Sequence, residues 1–437
     1  MFRLGSPYST NEKEKKEWTI VGRYHFNNTV INSVVFSKSK DKLFCVNKDR
    51  HIYEFELLSD SKYEANKLPI PKSMKIENDC DINCMILSPI PYDKEYIILA
   101  NTEYKLRLLS LSEGDHNNEH FIVRQTSLGP TYGKPINKLR VVPGSDKNNR
   151  MLAFSTGYKI FGLLYLPVDG NPFRMMGVIG HPNKIQEIKT SENSKYIFTT
   201  GGNDYIINAW CHNIHPLIDS VASNLGKEGI DPFLTLLEGG KDDIMYQEML
   251  DFFYYAQIKS KDENTTKPRI LEKYVSKDNI YGLMTAMGYY PSQTELGYIL
   301  NEIKYTNDKI HDNNTFDFNM FVKLYINHRP YKDIDLEKFK KAFKNIAIGL
   351  KKEQETKDAK NDKESGNSIN RDVLIKLLNE YGDKLDDKKI SDCLKVLVGD
   401  HNISNLNESI TSEYLYHDIL KFIEEDIPTE NTEEDYY

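Results

Sequence analysis

Residues 180–210, GHPNKIQEIKTSENSKYIFTTGGNDYIINAW, decide how the amino-terminal half folds. Gly180-His181 opens the stretch, and KIQEI (184–188) and KYIFTT (195–200) alternate apolar and polar residues as half-buried strands do. GGND makes a tight turn ending on Asp204, and YIINAW (205–210) gives a third strand that ends on Trp210. A blade of the WD type is the reading. Its chemistry is a hydrogen-bond relay in which Asp204 orients His181, and a threonine hydroxyl links that imidazole to the indole of Trp210. Thr199 and Thr200 both stand in reach along the strand, and Thr200 is assigned the role. Cys211 occupies the position where such a repeat carries Asp, so the signature is partial.

Working outward, three weaker copies precede this unit at similar spacing. They are VINSVVFSKSKDKLFCVNKDRHIYEFEL (30–57, with Asp49 in the turn), CDINCMILSPIPYDKEYIILANTEYKLRLLSL (80–111) and PINKLRVVPGSDKNNRMLAFSTGYKIFGLLYL (135–166). About four blades result. Propellers of this class commonly close with roughly seven or eight, and an unclosed ring leaves apolar flanks uncovered. Either another polypeptide supplies the missing blades, or this is the carboxy-terminal portion of a longer protein or an open partial propeller; both are favoured over a self-closed ring of four.

After Cys211 the period changes from two to 3.6. DDIMYQEMLDFFYYAQIKS (242–260) sets Met245, Met249, Phe252, Phe253 and Ala256 on one face, which predicts an amphipathic helix. A helix ends at Gly288, and Ser292 with Glu295 forms a capping-box pattern that opens another, with Leu296, Ile299, Leu300 and Ile303 as its buried stripe. The order helix, loop, short β segment, helix occurs twice here, as in paired EF-hands. DLEKFKKAFKNIAIG (335–349), NSINRDVLIKLLNEYG (367–382), DDKKISDCLKVLVG (386–399) and SITSEYLYHDILKFI (409–423) repeat it, with short β segments at Ser368 and Ser409.

The fold expected is therefore multidomain β + α: a partial WD40 β-propeller followed by an all-α, calmodulin-like EF-hand body. Its divisions are an extension (1–17), blades (18–212), a first EF-hand-like pair (213–334), a second pair (335–423) and an acidic tail (424–437).

Calcium needs oxygen ligands at loop positions 1, 3 and 5 and a bidentate Glu at 12. Position 12 falls on or near Asn279, Met320, Val373 and Tyr414 in the four loops, and Lys304 stands at position 1 of the second. Such loops keep a helix pair's shape without its metal chemistry. Asp308, Asp312 and Asp317 stay acidic but lie outside that spacing, and a calcium-responsive regulator using them is the alternative reading. The charged stretch KKEQETKDAKNDKE (351–364) reads as a solvated tether.

Catalytic signatures do not emerge. CHNIH (211–215) and the pair Cys80 and Cys84 complete no zinc tetrad, and there is no nucleophile elbow, P-loop or dinucleotide glycine fingerprint. Catalytic, cofactor and metal residues are thus none, and no enzyme is expected. A net charge of -8 argues against a nucleic-acid partner. With 39% hydrophobic and 28% charged residues the composition is that of a soluble globular protein. Five cysteines, an odd number, read as free thiols of a cytoplasmic protein. The amino terminus lacks a signal-like apolar core, and no run approaches the ~18 apolar residues of a membrane helix, so no membrane association is expected.

The stretches GGNDYIINAW (201–210), PFLTLLEGG (232–240), DFFYYAQIKS (251–260), AMGYYPSQTEL (286–296) and LYINHRP (324–330) resemble the carboxy-terminal region of the cilia- and flagella-associated protein 251 family. That resemblance covers roughly Gly180 to Asp335; the blades before it agree only as WD repeats, and the last hundred or so residues only in architecture. It implies a scaffold in the axoneme of motile cilia, at the base of radial spoke three, within the calmodulin- and spoke-associated complex. It further implies other proteins of that complex, calmodulin, radial spoke proteins and the doublet microtubule as partners, with a separate chain completing the propeller. A cytoplasmic WD-repeat adaptor outside the cilium is the remaining alternative.

Overall fold

In the computed structural model the described residues are 2–4, 18–20, 23–26, 29–57, 70–90, 95–111, 121–143, 150–193, 195–211, 219, 229–237, 239–260, 272–306, 314–332, 336–354, 368–381, 384–399 and 405–422. A short hairpin pairs β1 (Phe2–Leu4) with β2 (Trp18–Ile20). Four antiparallel blades follow. The first holds β3 (Ile31–Phe36), β4 (Lys42–Asn47), β5 (His51–Glu56) and β6 (Lys72–Lys75). The second holds β7 (Ile82–Leu87), β8 (Tyr96–Asn101), β9 (Lys105–Leu111) and β10 (Phe121–Leu128). The third holds β11 (Ile136–Val142), β12 (Met151–Thr156), β13 (Ile160–Tyr165) and β14 (Met175–Ile179). The fourth, which carries the stretch that decides the fold, has three: β15 (Ile185–Thr190), β16 (Tyr196–Gly201) and β17 (Ile207–Cys211).

The propeller-like arrangement of four blades stands as read from the sequence. The outer strands β6, β10 and β14 are additions that repeat spacing alone did not supply.

Neighbouring blades bury a core at each junction. Phe44, Val46 and Ile52 meet Ile82, Met85 and Leu99 between the first two. Ala100 and Leu106 meet Leu139, Leu152 and Phe154 at the second junction, and Met151, Ala153 and Phe161 meet Ile185, Ile188 and Ile197 at the third. Strand β12 is buried along its whole length because a blade packs on each face, so MLAFST runs continuously small or apolar instead of alternating. Gly162 is required beside it: a Cβ there would overlap the Phe154 ring and the Met176 carbonyl.

Next come α1 (Asp231–Leu234), α2 (Ile244–Ser260), α3 (Ile280–Ala286), α4 (Gln293–Thr306) and α5 (Phe318–His328). Strand β18 (Tyr274–Ser276) pairs antiparallel with β19 (Thr315–Asp317) and ties the two helix–strand–helix units together. Helix α2 buries Met249, Phe253 and Ala256 as its periodicity requires, along with Tyr246 and Gln257. Helix α4 is rotated from expectation. Ile299 and Ile303 are buried, but Tyr298 and Glu302 are buried with them while Leu296 and Leu300 remain partly exposed. The cause lies in the blades: this face of α4 packs against β10, and Tyr298 enters the core between the first two blades.

The chain forms two compact units, Met1–Tyr331 and Lys332–Tyr437. The first helical pair therefore belongs to the same body as the blades, although the change of period suggests a division near Asn213, itself outside the described residues. The second unit contains α6 (Leu336–Gln354), α7 (Arg371–Glu380), α8 (Asp387–Val398) and a π-helical turn at Tyr414–Ile419 where a helix was expected. Here β20 (Ser368–Asn370) pairs with β21 (Ser409–Thr411). Phe343, Ala347 and Ile369 form one small core, and Ile390, Leu394, Leu406 and Ile419 another.

Because the blades share a core with α2–α5, a fragment ending at Cys211 should lose cooperative folding while one ending at Tyr331 keeps it. Thermal unfolding of the two by circular dichroism checks this; equal midpoints would contradict a shared core.

Candidate functional site

The relay in the fourth blade is assembled from three elements. His181 precedes β15, Thr199 lies in β16 and Trp210 in β17. His181 Nδ1 lies 2.6 Å from Asp204 Oδ2, and Nε2 lies 2.8 Å from Thr199 Oγ1. Trp210 Nε1 donates to the same hydroxyl at 2.9 Å. With Asp204 accepting from Nδ1–H, Nε2 is left to accept from Thr199, which accepts in turn from the indole. The hydrogen bond from His181 holds the Asp204 carboxyl below the usual carboxylate range.

Thr200, the threonine assigned from sequence, does not take this part. Successive side chains of a strand point to opposite faces, so only Thr199 shares the face of the imidazole. Thr200 pairs across the sheet with Glu187 and Ile207.

A second polar cluster, which sequence reasoning missed, joins blades to helices. Arg107 on β9 is 4% exposed. Its Nε and Nη2 donate to Glu77 at 2.5 and 2.9 Å, Nη2 also donates to Glu295 of α4 at 2.9 Å, and Nη1 donates to Thr126 at 2.9 Å. His328, at the end of α5, places Nδ1 2.7 Å from Glu295 Oε1 and Nε2 3.0 Å from Glu302 Oε2. Glu302 also accepts from the Thr126 amide at 3.0 Å. Lys105 donates to the carbonyls of Asn327 and Arg329, each at 2.9 Å, and to that of His328, at the negative end of α5.

Glu295 thus explains a half-made capping box. Its amide donates to Ser292 Oγ at 3.3 Å, but its carboxylate leaves the helix end for Arg107 and His328.

Electrostatics follow from the geometry. Both imidazole nitrogens face carboxylates, which accept only, so His328 carries two protons. Burial works against that charge, yet Glu295 and Glu302 outweigh it and raise the His328 pKa. Glu295 is held well below the carboxylate range: burial opposes this, and Arg107 and His328 prevail. Burial brings Lys105 down to about 8. Three carboxylates (Glu77, Glu295, Glu302) then face three cations (Lys105, Arg107, His328), and the buried cluster is neutral.

Asn327 completes the joint. Its Oδ1 accepts from the Leu128 amide at 3.0 Å and its Nδ2 donates to the Asp169 carbonyl at 3.1 Å. Gly170, with φ +87°, makes this possible, since a Cβ there would strike the Asn327 amide. The LYINHRP segment is therefore where helix meets blade.

Of the acidic loop residues, Asp317 has another use. Asp317 caps α5, accepting from the Met320 amide at 2.9 Å. Asp308, Asp312, His212, His215, the tether from 355 onward and the acidic tail lie outside the described residues. Among the described residues no group of three His, Cys, Asp or Glu side chains is placed to hold a metal, no helix is long and apolar enough to cross a membrane, and the five cysteines are free. Burial pushes the Cys45 and Cys84 thiols up to about 12.

WD-type blades joined through a buried ionic cluster to paired helix–strand–helix units define a propeller-like repeat protein with a helical carboxy-terminal body. A family model described as the CFAP251 C-terminal domain matches residues 244–420. The chain is 32% identical to cilia- and flagella-associated protein 251 of Tetrahymena thermophila, over 97% of this chain and 45% of that protein. It is 29% identical to the Pongo abelii protein of the same name (96% and 35%) and to that of Mus musculus (88% and 28%). The family model and these relatives support the cilia- and flagella-associated protein 251 family for this chain, which spans less than half the length of those relatives. A solved structure titled Chaetomium thermophilum Polycomb Repressive Complex 2 bound to GSK126 aligns with 49% of this chain and 43% of its own at 16% identity and a TM-score of 0.35, too low to bear on fold or function.

Two outcomes are expected. Thr199→Val should destabilise the amino-terminal unit by ~1–3 kcal/mol by stranding His181 and the indole, and Thr200→Val by under ~0.5 kcal/mol, in denaturant titrations. Arg107→Met should cost ~3–5 kcal/mol, because Glu77 and Glu295 stay buried without their cation. The pH dependence has a definite sign. His328 has a raised folded pKa, so its contribution is full below about pH 6.5 and lost as pH rises through the folded value. Glu295 has a lowered one, so its contribution is full above about pH 4.5 and lost on acidification. His328→Gln should flatten the fall above neutrality in urea midpoints of the Met1–Tyr331 unit; an unchanged slope would exclude His328 as its source.

Proposed function

We propose that this chain is a non-catalytic structural component of the motile-cilium axoneme. Its place is the base of radial spoke three, in the calmodulin- and spoke-associated complex, where it supports regulation of beating. The family supports the ciliary role. The observation that supports a scaffold is the buried cluster around Arg107: charged groups that could serve chemistry are consumed in holding blades and helices as one body. A part so joined transmits force and position between neighbours without rearranging. Other proteins of the complex, calmodulin, radial spoke proteins and the doublet microtubule are its proposed partners. The calcium-responsive alternative loses Asp317, which is engaged as a helix cap.

The test is a tagged copy in a ciliated cell, with electron tomography of its axonemes after deletion. Tag signal along the axoneme and loss of density at the base of radial spoke three are expected. A signal confined to the cell body would exclude the proposal, and intact spoke bases would exclude this placement.

A further inference from the structure

A cleft of about 270 Å³ opens in the Met1–Tyr331 unit, where the segment leading into the second blade faces the connection between α3 and α4. Its floor is the buried ionic cluster: Glu77, Lys105, Arg107, Glu295 and His328. Those groups bond one another, Asn101, Thr126 and the carbonyls that end α5, and with Glu302 their charges cancel. The field in the cleft is therefore set by its rim.

The rim is acidic and aromatic. Asp79, between β6 and β7, is exposed, and Glu103, between β8 and β9, is half-buried. Both line the cleft, and neither carboxylate forms an ion pair or hydrogen bond among the described residues. Two negative charges thus stand uncompensated above a neutral floor, and a cleft concentrates their field. The α3–α4 connection adds Tyr289 and Tyr290. Tyr290 is 72% exposed. It is held so by its neighbours: Gly288 ends α3 with φ +78°, and the buried Pro291 restricts Tyr290 to extended backbone. Burial and the Glu295 charge push the Tyr289 phenol up, so its hydroxyl stays neutral.

The walls are also fixed. Asn78 Nδ2 donates to Thr294 Oγ1 at 2.9 Å, and Arg107 bonds Glu77 and Glu295 from the same two parts of the chain. A ligand meets a preformed shape.

These groups choose the ligand. Sites for small molecules are mostly apolar and about 300–1,000 Å³, whereas this cleft is smaller and lined by charged and hydroxyl groups. Two carboxylates repel an anion, and no group of three His, Cys, Asp or Glu side chains is placed to hold a metal among the described residues. A guanidinium suits every part of the rim. It is planar enough to stack on a tyrosine ring, and it donates to several oxygens at once, as an ammonium on a flexible stem does less well. Arginine is also among the residues that anchor protein interfaces by filling such pockets. All arginines from Arg50 to Arg174, together with Arg329 and Arg371, are already bonded elsewhere in this chain.

We propose that the cleft is a docking site for an arginine side chain of a partner protein, with Asp79 and Glu103 as its counter-charges and the Tyr290 ring as its stacking face. The partner is argued from charge complementarity at a preformed site. The inference deepens the scaffold reading and rests on it only in requiring a lasting neighbour.

The experiment encodes photoreactive benzoylphenylalanine in place of Tyr290 in the full chain, expressed in ciliated cells, and maps adducts by mass spectrometry. Adducts are expected on another protein, within a few residues of an arginine. Adding Asp79→Asn and Glu103→Gln should lower the yield about tenfold, and Glu248→Gln, at an exposed position of α2 away from the cleft, should leave it unchanged. Asp79→Arg should also lower it, and changing the mapped partner arginine to glutamate should then restore it, which a general loss of folding would not allow. Adducts far from any arginine, adducts near Arg3, Arg23 or Arg269 or elsewhere in the same polypeptide, adducts with a second copy, no adduct, a yield indifferent to the two carboxylates, or failure of the charge reversal to restore it each overturn the inference. The expected adduct found in complexes outside the cilium would sink the ciliary reading and leave the arginine site standing.

Discussion

A guanidinium with almost no access to water is the constraint on which the Met1–Tyr331 unit depends. A buried cation is tolerated only when paired and hydrogen-bonded, and Arg107 takes its two carboxylates from different parts of the chain. Glu77 comes from the linker between the first two blades and Glu295 from the first turn of α4. Neither half can satisfy it alone. Arg107 also lies over the Tyr298 ring at 4.8 Å, and Tyr298 OH donates to the Ile76 carbonyl, so polar and apolar contacts converge on one joint. Replacing such a lattice by well-packed apolar groups is often neutral for stability, so its value lies in geometry. Planar, bidentate partners admit one orientation of α4 on the blades, where an apolar patch would admit several.

Blades and helices were legible because their signals are local: alternation, turns and 3.6-residue periodicity each live within a dozen or so residues. Partners distant in sequence were not. Arg107 stands in KLRLLSL, where alternation only says that Arg belongs outside, and the exterior it faces is a helix nearly two hundred positions later. Asn327 and His328 did leave a trace. They extend the apolar stripe of α5 through Leu324, Tyr325 and Ile326 with polar residues, and a polar residue at a core position must find a buried partner. The same reasoning explains α4, where Glu302 sits on the stripe that periodicity gave to leucines.

The relay in the fourth blade shows the finer limit. Choosing between Thr199 and Thr200 requires the phase of β16, and both threonines fit the spacing of the motif. Phase is set by which face is covered, and here Ile197 and Thr199 turn toward the buried side while Phe198 turns outward. The uncovered face therefore obscured the assignment. One strand that repeat analysis missed has a related cause: β6 (KSMK) lies outermost, where a short polar sequence suffices because one neighbour, not two, constrains it.

Helix ends account for the side-chain oxygens that stand beside the short paired strands. A side-chain oxygen that accepts a helix's first free amides has its lone pairs directed at the backbone. Asp317, Asn370 and Asp386 all do this, at 2.9, 2.9 and 2.8 Å. A divalent cation would have to compete for these oxygens and leave amides unpaired, while the position that should supply a bidentate carboxylate holds Met320 or Val373. What the short paired strands β18–β19 and β20–β21 preserve is the spacing between two helix–strand–helix units. In each, that spacing is held by a central apolar pair, Val275 with Phe316 and Ile369 with Ile410, all buried. Apolar contact across the strands holds each helix pair together.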